Sequence, residues 1–103
     1  MTLGELIERL EAADPATIVP RGWLEPCSDR GDYSDLAFKQ AENVSVAQML
    51  DAARGALGQS FEGWKGGDYT MHEWSTVKVT TEYGVMGEEI SHLLLDYMLG
   101  TVR

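Results

Sequence analysis

Four of the eight lysines and arginines, Arg21, Arg30, Lys39 and Lys65, fall in segments rich in glycine and aromatic residues, with Trp23, Tyr33, Trp64 and Tyr69 close by. A guanidinium or ammonium beside an aromatic face suits an anionic, planar ligand, because the cation meets the charge while the ring stacks. Gly31 gives the backbone beside Arg30 freedom to bring a bidentate fork onto a phosphate, and Tyr33 follows closely. Trp64 and Lys65 stand between Gly63 and Gly66, which suits a tight hairpin or a ligand held against the backbone. Arg21 and Trp23 are spaced to form a cation-π lid. The candidate ligand-binding residues are therefore Arg21, Trp23, Arg30, Tyr33, Trp64, Lys65 and Tyr69. Each has a plainer alternative. Arg30 has Asp29, Asp32 and Asp35 at hand for an ion pair, either tryptophan can fill a core, and Tyr69 to His72 can be simple strand.

Nothing comparable points to catalysis, a metal or a cofactor. His72 and Glu73 are adjacent, but neighbouring strand residues face opposite sides of a sheet and cannot work as an acid-base pair. His92 borders an apolar stripe and is expected to partner a carboxylate. The two histidines are 20 positions apart, and no paired His/Cys spacing occurs. Cys27 is the single cysteine, so no intrachain disulfide can form, and no base or cluster of cations adjoins it in sequence. The expected role is binding, without enzymatic activity.

The 103 residues are enough for one domain, residues 1 to 103, with one core. A composition of 44% hydrophobic and 24% charged residues is that of a globular chain and excludes disorder, collagen or a disulfide scaffold. The net charge of -9 argues against nonspecific binding to nucleic acid or an anionic membrane, which needs a dense basic face. No apolar run approaches a membrane-spanning length and no leader segment opens the chain, so the expected location is the cytoplasm.

Leu3, Leu6, Ile7 and Leu10 behind Thr2 and Glu5 predict a capped helix over residues 3 to 13. Thr17 to Val19 predict a short strand closed by Pro20, and residues 20 to 35 a long polar loop. A second strand is expected from Leu36 to about Ala41. Ser45 and Gln48 open a second helix with the stripe Val46, Met49, Leu50, Ala53 and Leu57, stopped by Gly58. Residues 58 to 70 read as connection or a bulged hairpin, and Thr70 to Thr81 contains an alternating strand. Gly84 and Gly87 frame a turn into a last helix with Ile90, Leu93, Leu94, Tyr97 and Met98 on its buried face. The resulting class is α+β, a small antiparallel or mixed sheet covered by about three helices.

Two stretches, Pro26-Cys27-Ser28-Asp29-Arg30-Gly31-Asp32-Tyr33-Ser34-Asp35-Leu36-Ala37-Phe38 and Phe61-Glu62-Gly63-Trp64-Lys65-Gly66-Gly67-Asp68-Tyr69-Thr70-Met71, resemble a family of small bacteriophage and actinobacterial prophage proteins. Leu3-Gly4-Glu5-Leu6 and Asn43-Val44-Ser45-Val46 look like the same family. The chain departs from the pattern at Cys27, where the family has His, and at Asp29, where it has Tyr. The resemblance implies phage counter-defence in a host cytoplasm. One form is a sponge that sequesters a phosphorylated nucleotide immune signal, with Arg30 and Lys65 on phosphate and Tyr33, Trp64 and Tyr69 on base and ribose, in a pocket that a homodimer can share. The alternative is an inhibitor or adaptor, including an acidic nucleic-acid mimic, that binds a host or phage protein. The longest acidic run is only Glu88-Glu89, which weakens the mimic. Converging cations would support the sponge, and an apolar patch rimmed by carboxylates the adaptor.

Overall fold

The computed structural model describes residues 1–100. Helix α1, Leu3–Ala12, starts from a complete capping box: Glu5 N donates to Thr2 Oγ1 at 3.2 Å and Thr2 N donates to Glu5 Oε1 at 2.9 Å. Helix α2, Val46–Ala56, opens on the same device built from Ser45 and Gln48. Between them run β1, Ile18–Ser28, and β2, Leu36–Ser45; beyond α2 come β3, Ser60–Glu62, β4, Asp68–Thr70, β5, Val77–Thr80, β6, Glu88–Glu89, and α3, His92–Leu99.

The main sheet has the order β1-β2-β5-β6, with β2 and β5 parallel and the outer pairs antiparallel; β3 and β4 form a separate hairpin. The fold is α+β with a mixed sheet. Leu3, Leu6 and Leu10 of α1 and Val46, Met49 and Ala53 of α2 join Trp23, Phe38, Met71 and Val77 in one buried cluster.

The segment expected to be loop from residue 20 is strand as far as Ser28. Pro20 and Pro26 do not end β1 because it is an edge strand, where a missing outward N–H breaks no ladder bond. Glu25, at φ 27°, forms a bulge between Leu24 and Pro26 that shifts the register against β2 by one residue. The true connection shrinks to residues 29 to 35. The second strand runs past Ala41 to Ser45, with Asn43 at φ 53°.

The strand expected within residues 70 to 81 is β5; Trp74 does not join its alternation, because it lies in a preceding turn in which His72 N donates to Ser75 Oγ and Trp74 N to His72 Nδ1. The last helix also differs from expectation. Leu95 is its buried residue and Ile90 is buried just before it, whereas Leu93 and Tyr97 are 61% and 65% exposed. Its short length leaves room for only a narrow buried stripe. No helix among the described residues is long and apolar enough to cross a membrane.

Candidate functional site

Three connections meet in space: residues 29 to 35 between β1 and β2, the β3-β4 turn, and residues 81 to 87 between β5 and β6. Asp29 ties two of them together. Its side chain is buried; Oδ2 accepts from Gly31 N at 2.9 Å, Asp32 N at 3.1 Å and Lys78 Nζ at 3.1 Å, and Oδ1 accepts from Gly87 N at 2.8 Å. Lys78, on β5, also pairs with Asp35 at 2.9 Å. Burial is the largest influence on Lys78 and opposes its charge, but the hydrogen bonds and charges of Asp35 and Asp29 together outweigh it and hold its pKa above the ordinary lysine value.

These contacts decide the fate of Arg30. Asp29 and Asp35 are taken by Lys78 and by backbone amides, and Asp32 accepts from Ser34 N and Ser34 Oγ at 3.0 and 2.7 Å. Ser34 holds the Asp32 carboxyl below the usual range through those same bonds. Arg30 therefore forms no ion pair among the described residues. Its guanidinium carbon lies 5.8 Å from the centre of the Trp64 ring.

Trp64 is placed by a turn in which Gly66 N donates to Gly63 O and Gly63 N to Gly67 O, both at 2.9 Å, with Gly66 and Gly67 at φ 96° and 85°. Tyr83 packs on the indole with ring centres 5.5 Å apart. Gly84 makes this packing possible: at φ 92°, a Cβ there would lie 2.6 Å from the indole. Met86 covers Gly31, where a Cβ would lie 2.8 Å from Met86 Cγ. Trp64, Tyr83 and Met86 are 46%, 42% and 67% exposed, so the Arg30-capped cluster faces outward.

Beside it, Tyr33 and Tyr69 meet edge to face at 5.5 Å over Gly63, which has no room for a Cβ under either ring. A cleft of about 410 Å³ is lined by Arg30, Asp32, Tyr33, Ser34 and Tyr69, with Arg30 its one lining cation. Of the candidate residues, the fold brings together Arg30, Tyr33, Trp64 and Tyr69. Lys65 is exposed on the same turn but does not line the cleft.

Arg21 and Trp23 do not form a lid. Trp23 is fully buried against Phe38, with ring centres 4.1 Å apart, while Arg21 is exposed on β1 and lines another cleft. The expectation failed because the segment is strand, in which Trp23 is buried in the core against Phe38 while Arg21 stays exposed. Tyr83 and Met86 went unrecognised as site residues. The signal for Tyr83 was present, an aromatic directly before Gly84, but nothing local showed that the connection reaches Trp64.

His92 finds the expected carboxylate, with Nε2 3.5 Å from Glu5 Oε2, and Arg9 adds bonds to the His92 carbonyl oxygen and to Asp96. Among the described residues, no three His, Cys, Asp or Glu side chains are grouped to hold a metal ion. Burial pushes the Cys27 thiol up, Lys39 partly opposes this and Asp29 adds to it. Cys27 should therefore be alkylated by iodoacetamide more slowly at neutral pH than an unfolded cysteine peptide of the same flanking sequence; equal rates would show an accessible, unperturbed thiol. Compared with known protein families, curated proteins and solved structures, the chain shows no significant match.

Proposed function

We propose that this chain is a non-catalytic binding protein that docks a partner protein through Arg30, Trp64, Tyr83 and Met86. The observation that carries the reading is the guanidinium of Arg30, without an ion pair among the described residues despite three aspartates close in sequence, and laid over an exposed tryptophan. Tryptophan, tyrosine and arginine are the residues that most often dominate protein-protein binding energy, and packing on an indole costs Arg30 little further ordering on association. Asp32, Glu62 and Glu82 lie within two residues of Arg30, Trp64 and Tyr83 in sequence, which suits an acidic adaptor. Phage counter-defence is the setting that the motif resemblance suggests for such a partner.

The cleft between Tyr33, Tyr69 and Arg30 favours a second reading, a nucleotide with its base on the tyrosines and one phosphate on Arg30. One lining cation, with Asp32 beside it, suits this less well than several converging cations would.

Wild type, Arg30→Ala and Trp64→Ala, used as parallel baits in lysate of a bacterial host, distinguish the two. A partner held by wild type should be lost by both variants, and once purified its affinity should fall by about 2 kcal/mol or more with Trp64→Ala. Identical captures by all three baits would remove the cluster from any role in docking. A rise in melting temperature with a cyclic dinucleotide, cyclic trinucleotide or ADP-ribose, absent in Arg30→Ala, would turn the assignment to the nucleotide.

A further inference from the structure

A second and larger cleft, about 890 Å³, shares no lining residue with the loop cluster. It lies between α3 and the β1-β2 ladder. Leu94, Tyr97 and Met98 of α3 supply an apolar wall, and Arg21, Glu42 and Glu88 supply charge. Its volume falls within the range of sites that enclose small organic ligands.

The charges are arranged in a way that packing alone does not require. Arg21 and Glu42 stand directly opposite each other in the antiparallel register, the position where unlike charges ordinarily pair. Neither forms an ion pair with any described residue, and neither does Glu88. Among the described residues, the cleft thus presents one guanidinium and two carboxylates without ion-pair partners around an apolar wall.

We propose that this cleft binds a short peptide with free termini and apolar side chains. The guanidinium of Arg21 matches a terminal carboxylate in bidentate geometry, Glu42 and Glu88 match a terminal ammonium, and Leu94, Tyr97 and Met98 receive the side chains. A phosphate ligand fits poorly, because two carboxylates face one cation. A purely apolar ligand would leave three charges desolvated and unpaired.

The test uses the intact protein, isothermal titration calorimetry and the tripeptide Leu-Ala-Leu in three forms: free, C-terminally amidated and N-acetylated. The free form should bind, and each blocked form should bind about tenfold more weakly or worse, as expected for loss of a charge-assisted contact. Arg21→Gln should erase the difference between free and amidated peptide while leaving the penalty for acetylation. Glu42→Gln combined with Glu88→Gln should do the reverse. These side chains are exposed, so the variants are expected to fold, and a circular dichroism melt checks it. Trp64→Ala should leave tripeptide binding unchanged, which separates this site from the proposed docking cluster. Absence of binding by the free peptide up to its solubility limit would overturn the assignment, as would an Arg21→Gln effect equal for free and amidated forms. A dimer seen by sedimentation whose α3 face excludes the peptide would also overturn it.

Discussion

Asp29→Ala is expected to destabilise the protein by about 3 kcal/mol or more and to disperse the aromatic cluster. Removing one partner of a buried ion pair leaves the other charge and its donors uncompensated, which costs about 3–5 kcal/mol. Here the orphaned groups are the amides of Gly31, Asp32 and Gly87, while Lys78 keeps Asp35. That retained partner places the effect toward the lower end of the range. Asp29→Asn should cost less, because its amide oxygen still accepts, but its NH2 would confront a donor on one side. Urea unfolding gives the stability change, and hydrogen exchange at the Gly87 amide reports whether the two connections have parted. An Asp29→Ala variant within about 1 kcal/mol of wild type would mean that the connections hold without it. The Lys78 side of the network has a defined pH sign. A raised folded-state pKa contributes stability that is fully present below the ordinary lysine value of 10.5 and is lost as pH rises through the higher folded value. The connections should therefore loosen at strongly alkaline pH, and Lys78→Met should remove that portion of the pH dependence.

Trp23→Ala is expected to cost about 3–5 kcal/mol, the range for deleting a buried large aromatic, and to leave a void beside Phe38. Trp23→Phe should cost clearly less. It keeps a ring against Phe38 and deletes the indole Nε1, the one buried side-chain nitrogen or oxygen among the described residues that lacks a hydrogen-bond partner. Thermal and urea unfolding followed by circular dichroism measure both. Should Trp23→Ala unfold like wild type yet fail to bind a partner, the residue would belong to a recognition surface after all. The contrast with Trp64→Ala is informative: Trp64 is about half exposed, so its loss should fall mainly on binding.

The helices were largely legible from the chain. Both capping boxes join residues three apart, and the apolar stripes of α1 and α2 recur within a turn, so one segment contains the whole signal. The last helix was legible as an element but not in its orientation. Which of Leu93, Leu94, Leu95 and Tyr97 is buried depends on where the sheet lies, and an almost uninterrupted apolar run does not reveal that. The edge strand was misjudged for a related reason. Proline marks the end of a strand only if the strand has neighbours on both sides, and β1 has one.

Residue types and local spacing alone settled the α+β class, the helix starts and the glycine turn around Trp64. All of these are short-range properties. Only the tertiary structure separated Trp23 from Trp64, brought Tyr83 onto Trp64 and Met86 over Gly31, and gave Asp29 and Asp35 to Lys78. Burial and ion-pair choice depend on which elements the sheet order makes neighbours. The parallel pairing of β2 with β5 carries Lys78 to Asp29, and with that long-range contact in place Arg30 has no ion pair among the described residues.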